Sequence, residues 1–262
     1  MPAPIITLLT DFGRRDHYVA TMKGVMLTIC PQAELVDISH DVQPQAIRQA
    51  AHLLASAAPF FPPGTVHLAI VDPGVGTERR AIAVGTARAC YVGPDNGLFG
   101  LVLEREPVQW AVHLNNPEYH LAKVSATFHG RDIFAPAAAH IACGQDPDQM
   151  GDALTPFDLH RIEILKAYEP GAGPWQACVL HTDRFGNLIT NLQVPDPDAD
   201  LALTVAGHQI DHLSRTFADV AVGELVAYIG SSGLLEIAVR QGNAAKTLGT
   251  DLNSPVHVEE QG

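Results

Sequence analysis

The chain predicts a two-domain α/β protein. An N-terminal, mainly parallel sheet with helices on both faces precedes a smaller, all-β, barrel-like domain. Three observations carry that reading. Apolar runs alternate with amphipathic stretches as far as Gly144, the βαβ rhythm of a parallel sheet. A turn-rich stretch, Tyr168-Glu169-Pro170-Gly171-Ala172-Gly173-Pro174, then breaks the rhythm. Beyond it lie short strands at regular intervals and no long helix. The expected domains are therefore 1–168 and 175–262.

The elements follow in order. Ile5 to Thr10 is an apolar run that reads as a buried strand. Asp16 to Cys30 reads as a helix, with Val19, Met22, Val25, Met26 and Ile29 at helical spacing. Asp16 is placed to cap it and Pro31 to stop it. A strand at Glu34 to Ile38, a helix from Pro44 to about Ala58 and a strand at Val66 to Val71 continue the alternation. Ile82 to Gly85 and Ala89 to Val92 are further strands, Gly97 to Glu104 a short helix, and Val108 to Leu114 a strand. An Ala- and His-rich helix fits Ile133 to Cys143, with Asp132 in capping position. In the second half the strands are Gln176 to Thr182, Leu188 to Leu192, Leu201 to Val205, Leu225 to Ile229, Leu234 to Val239 and Val256 to Glu259.

Composition narrows the function. Of 262 residues 47% are apolar and 17% charged, which excludes disorder for most of the chain. No apolar run approaches the roughly 18 residues of a membrane span. The first residues carry no basic region or cleavage site and read as a strand, not a signal peptide. Cys30, Cys90, Cys143 and Cys178 form no CxxC, so reduced thiols and a cytoplasmic location are expected. Sixteen Lys and Arg against 29 Asp and Glu give a net charge of −13 with no basic cluster. Nucleic acid is a poor partner for such a chain, since phosphate binding relies on cationic side chains. Small molecules remain, cationic ones included.

Ligands of open α/β sheets sit beyond the carboxyl ends of the strands. Asp11, Asp37, Asp72 and Asp95 each close or follow an apolar run there, although Asp, Gly and Asn also build ordinary turns. Gly74-Val75-Gly76 lacks the GxGxxG frame, and GK[ST], GxSxG and HExxH are absent. No pair among the 13 histidines has a diagnostic metal spacing. Asp11, Asp37, His40 and Asp72 nonetheless leave a metal-dependent hydrolase open as an alternative. His129, in Phe128-His129-Gly130-Arg131-Asp132, stands where a loop can present an imidazole to a cleft. In the second half, Asp183 to Asn191, Gly230-Ser231-Ser232-Gly233 and Arg240 to Ala245 each read singly as turns. The Ser231-Ser232 pair also offers hydroxyls and N–H groups to a carboxylate.

Taken together, TDFG (10–13), VDPGVGTERR (71–80), GPDNG (93–97), FHGRDIF (128–134), DRFGNLITN (183–191) and LEIAVRQGNAA (235–245) form an ordered set. The set resembles the S-adenosyl-L-methionine hydroxide adenosyltransferases, relatives of the fluorinases and chlorinases, over nearly the whole chain. The resemblance implies attack of water or hydroxide on C5′ of S-adenosyl-L-methionine (SAM), giving adenosine and L-methionine. It implies no metal and no cofactor, SAM being the substrate. An Asp-Arg-His triad falls on Asp72, Arg79 and His129, which the halogenating relatives are expected to lack. Arg80 follows directly, so sequence alone leaves either guanidinium available. Asp11 is implied to bind the ribose hydroxyls. Asp183, Ser231 and Ser232 are implied to hold the methionine amino and carboxylate groups, and Asn187 with the backbone at Asn243-Ala244 to read the adenine. A homotrimer with intersubunit sites is implied as well. A non-catalytic binder of SAM or adenosine is the remaining alternative.

Overall fold

The computed structural model describes residues 2–196 and 198–261, and its first half is organised by one seven-stranded sheet. The strands are β1 (Ile5–Thr10), β2 (Glu34–Ser39), β3 (Thr65–Ile70), β4 (Ala81–Gly85), β5 (Ala89–Pro94), β6 (Trp110–His113) and β7 (Asp152–Leu154). Their order is β2-β1-β3-β5-β4-β6-β7. β2, β1, β3 and β5 run parallel, as the βαβ rhythm predicts. From β4 onward neighbours are antiparallel, so the sheet is mixed. The reversal is local in origin. β4 and β5 are joined by the tight turn Thr86–Arg88, closed by Thr86 N–H to the Ala89 carbonyl at 2.9 Å, which is too short for a crossover helix.

Helices cover both faces. α1 (Tyr18–Ile29) and α4 (Ala135–Ala142) pack together, and their Met22, Met26, Ala135 and Ala138 share a core with Ile6, Leu8, Val66 and Leu68. α2 (Ile47–Ala57) and α3 (Gly100–Arg105) pair with each other. The alternate strand residues Thr7, Leu9, His67 and Tyr91 belong to that opposite face by strand periodicity. Asp16 does not cap α1. The first helical bond runs from Thr21 N–H to the His17 carbonyl, which puts the cap at His17, one residue past the carboxylate. Asp132 does not cap α4 either, because a π-helical turn over Gly130–Phe134 leads into that helix and encloses it.

The second half is a separate sheet of eight strands: β8 (Lys166–Ala167), β9 (Trp175–Thr182), β10 (Leu188–Gln193), β11 (Leu201–Val205), β12 (His208–Ile210), β13 (Leu225–Ile229), β14 (Leu234–Val239) and β15 (Pro255–Glu260). Seven of them follow the path β12-β11-β15-β9-β10-β14-β13 with antiparallel neighbours. β8 adds a short parallel pairing on β10. The path's two ends, β12 and β13, meet, which nearly closes a barrel around Val179, Leu188, Leu203, Leu235, Ile237 and Val256.

The chain divides into two units between Ile162 and Glu163. That division precedes the turn-rich stretch, because Lys166–Ala167 already pairs with β10 and Tyr168 packs in the barrel core. The stretch is a loop of the second unit, tied down by Gly171 N–H donating to Glu260 Oε2 at 2.9 Å. Among the described residues no helix is long and apolar enough to cross a membrane.

Candidate active site

Where β3 ends, the chain turns through Asp72-Pro73-Gly74-Val75-Gly76 and returns as β4. Asn96 fixes the start of that turn by donating from Nδ2 to the Val71 carbonyl at 2.8 Å. The return brings Arg79 back onto Asp72. Arg79 Nε donates to both carboxylate oxygens at 2.9 and 3.0 Å, and Nη2 to Oδ2 at 2.5 Å. The same Nη2 lies 2.9 Å from His129 Nδ1, and the guanidinium carbon sits 5.1 Å from the centre of the Phe134 ring. Asp72 and Arg79 side chains are only 6% and 11% exposed, so solvent screens this pair little. Arg80 points elsewhere. It binds Asp95 Oδ2 at 2.9 and 2.6 Å and the Asp158 carbonyl. Of the two adjacent guanidiniums, only Arg79 joins Asp72 and His129.

His129 is presented by the loop that precedes α4. Asp132, fully buried, holds that loop by accepting from Ser125 N–H at 2.8 Å, Ser125 Oγ at 2.7 Å and Arg131 Nε at 2.5 Å. Burial alone works to raise the Asp132 carboxyl, but the Arg131 and Ser125 bonds outweigh it and hold it below the usual range. The π-turn inserts one residue per turn relative to an α-helix, a device that recurs at functional sites. Arginine has donors only, so His129 Nδ1 must be the acceptor and a neutral ring carries its proton on Nε2. Burial, then the Arg79 charge, pushes the His129 pKa down.

A cavity of about 500 Å³ opens over these groups, lined by Phe12, Tyr18, Asp72, Val75, Phe128 and His129 among others. Phe12, Tyr18 and Phe128 touch one another with ring centres 5.1 to 6.0 Å apart. Asp11 follows β1 at the same end of the sheet. Its Oδ2 accepts from Gln45 N–H at 2.8 Å, and burial, with a smaller push from Asp72, raises its carboxyl. Asp37 and Asp95 are engaged otherwise, Asp37 with Lys23 at 2.7 Å and Asp95 with Arg80 and the His160 N–H. Among the described residues no group of three or more His, Cys, Asp or Glu is placed to hold a metal ion.

The remaining candidates lie in the barrel unit. Asp183 Oδ1 accepts from the N–H groups of Phe185 and Asn187 at 2.9 and 2.8 Å, and Oδ2 accepts from Asn187 Nδ2 at 2.8 Å. Gly186, at φ +88°, lies so close to Asn243 that an added Cβ would fall 2.1 Å from its side chain. Asn243 caps a short helix, α5 (Ala244–Leu248), by accepting from Lys246 N–H at 2.8 Å, and Ala245 N–H returns to the Gly186 carbonyl at 3.0 Å. Thus the Asp183–Asn187 loop and the start of α5 at Asn243-Ala244 are tied together through Gly186. Ser231 and Ser232 lie in the β13–β14 turn, closed by Gly233 N–H to the Gly230 carbonyl at 2.9 Å. Sequence reasoning passed over Glu236. It accepts from Tyr228 at 2.7 Å, and burial, then the Asp183 charge, raises its carboxyl although the Tyr228 bond opposes. A charge inside the otherwise apolar run Leu234-Leu235-Glu236-Ile237 was the available signal.

Comparison with known proteins gives a consistent picture. Residues 6–151 match the model of the SAM hydroxide adenosyltransferase N-terminal domain, and residues 177–257 that of the C-terminal domain. An (R)-S-adenosyl-L-methionine hydrolase of Thermus thermophilus is 42% identical, over 97% of this chain and 98% of that protein. A fluorinase of Actinoplanes sp. is 30% identical, over 91% of this chain and 92% of that protein. A crystal structure of an uncharacterized conserved protein from Thermotoga maritima superposes with a TM-score of 0.84 at 37% identity, covering 97% of this chain and all of that one.

Proposed function

The chain belongs to the SAM hydroxide adenosyltransferase family, and from that premise we propose that it hydrolyses (R)-S-adenosyl-L-methionine to adenosine and L-methionine. The observation that carries the chemistry is the chain of hydrogen bonds from Asp72 through Arg79 to His129 on the wall of the cavity. A sulfonium leaves readily, so the reaction needs a positioned oxygen in line with the C5′–S bond and no acid for departure. The new C5′–O bond takes its electron pair from water. The broken C5′–S pair stays on the methionine sulfur, and one proton is released. In this reading the His129 Nε2–H donates to the water and fixes its oxygen. Asp72, held by Arg79, is the anion that accepts the proton. Attack neutralises the sulfonium charge, which a poorly hydrated cavity favours. Asp11 takes the ribose hydroxyls, the Asp183 and Ser231-Ser232 groups take the amino acid moiety, and Asn187 with Asn243-Ala244 takes the adenine. No metal or cofactor enters the scheme.

The test is direct. EDTA-treated protein is incubated with SAM in ¹⁸O-water, and adenosine is expected with the label at its 5′ oxygen. Label elsewhere, or activity restored only by metal, contradicts the scheme. Asp72→Ala is expected to lower turnover by roughly 10²–10⁴-fold, the span for a positioned acid–base group, with substrate binding retained. The homotrimer belongs to the same proposal. Mixed assemblies of Asp72→Ala and Asp183→Ala chains should regain part of the activity, and no recovery from verified mixtures counts against shared sites.

A further inference from the structure

His40 is almost fully buried at 1% exposure and takes no part in the scheme above. Its surroundings assign it one. His40 Nδ1 lies 2.8 Å from the hydroxyl of Thr10, which is itself fully buried, and that hydroxyl accepts from Phe12 N–H at 3.3 Å. The His40 carbonyl accepts from Gly13 N–H at 2.8 Å. Asp11 stands between these points, and its own carboxylate takes the Gln45 N–H from the same segment, where Gln45 adopts a left-handed φ of +67°. The stretch after β2 therefore grips the Thr10–Gly13 turn through a side chain, a carbonyl and an N–H. On the far side of the ring, His40 Nε2 is 3.1 Å from Asp37 Oδ1, an ion-pair distance without hydrogen-bond alignment, and Asp37 also receives Lys23. In the tautomer with its proton on Nε2, Nδ1 accepts from Thr10 Oγ1–H, and a Thr10 lone pair is left for Phe12 N–H.

We propose that His40 is a positioning residue that sets the Asp11–Phe12 turn through Thr10. It governs nucleoside affinity without touching the reacting atoms. The functional part rests on the reading of Asp11 as the ribose carboxylate. The geometric part does not.

The two ring nitrogens allow a discriminating experiment. The amide of Asn reaches the position of Nδ1, whereas that of Gln reaches the position of Nε2. His40→Asn, His40→Gln, Thr10→Val and the double variant His40→Gln/Thr10→Val are compared with wild type for adenosine Kd, for KM and kcat on SAM, and for hydrogen exchange of the Phe12 and Gly13 amides. His40→Gln and Thr10→Val are each expected to raise Kd and KM by roughly 10-fold, the scale of one buried hydrogen bond, with kcat within about 2-fold. His40→Asn should restore Kd to within about 3-fold of wild type, and the double variant should be no worse than the worse single one. Phe12 should lose exchange protection in His40→Gln and Thr10→Val but keep it in His40→Asn. Equal losses in Asn and Gln variants, additive losses in the double variant, or a fall in kcat alone overturn the proposal. If the His40 variants fail to fold, the nearly isosteric Thr10→Val decides alone: raised Kd with lost Phe12 protection and unchanged kcat supports the proposal, and unchanged Kd or Phe12 protection overturns it. If wild type neither binds adenosine nor hydrolyses SAM, the functional reading fails, and the exchange pattern alone decides the role of His40.

Discussion

Arg79 has five donors and no acceptor, and this one chemical fact fixes the state of its neighbour. While His129 Nδ1 receives the guanidinium, the ring is neutral; a proton on Nδ1 would set two cations 2.9 Å apart. Because burial and Arg79 depress the His129 pKa from its ordinary 6.5, the neutral form persists as pH falls through 6.5. Activity is therefore expected to hold to below pH 6.5 and then drop. A kcat/KM profile that breaks at or above that value contradicts the assignment, and His129→Gln should remove the histidine limb. His67 offers a stability counterpart. It is buried, bonded to Thr7 at 2.7 Å and stacked on Tyr91, and burial lowers its pKa to about 4. The folded state thus binds fewer protons than the unfolded one between about 4 and 6.5. Its contribution is complete above 6.5 and lost as pH falls toward 4, on the order of 3 kcal/mol at most. Urea melts across that window should show a slope that His67→Phe reduces. Motif reading brought Asp72, Arg79 and His129 into view because each sits in a dense polar run. It could not separate Arg79 from Arg80, since which of two adjacent side chains turns inward depends on where β4 begins. His40 was visible only as a possible metal ligand, because its partner Thr10 lies 30 positions away and carries no distinctive pattern.

Element boundaries followed the same logic. The long periodic elements were legible: β1 falls where the apolar run does, and α1, α2 and the barrel strands agree to within a few residues. β7, β8, β12 and α5 were not, being two to five residues long and held by pairing and capping instead of by a pattern of their own. The π-turn was equally invisible, since Asp132 before an apolar run reads as a cap, and only burial shows it as an anchor. Gly76 links the two loops of the site. At φ +78° it sits with its absent Cβ 2.6 Å from the Ala126 carbonyl, against the segment that leads to His129. Gly76→Ala is expected to cost about 1–3 kcal/mol, from backbone strain and a contact that must open. It should also lower kcat about 10-fold or more, because a misplacement near 1 Å in a site is felt strongly. Thermal unfolding with kinetics checks this; normal turnover would show that the two loops are set independently.

At the scale of the whole chain, the change from βαβ rhythm to short strands reads as two domains, but no sequence pattern foretells how each sheet is threaded. In the first sheet the strand made last, β7, is a three-residue edge, and the other six strands are already present when β6 has been made. The barrel is threaded the other way. β15, the last strand of the chain, lies between β9 and β11 and pairs with both, so neither neighbour has its inner partner until residues 255–260 exist. During synthesis, when domains fold in the order they emerge, the first unit can complete itself while the second waits for its final segment. A chain stopped after Asn253 should thus give, under limited proteolysis, a protected fragment ending near Ile162 and a digested remainder. Equal protection of both halves would mean that the barrel holds without its keystone. Birth order thereby separates the two units in time: one is finished early, and the other matures only once residues 255–260 have emerged.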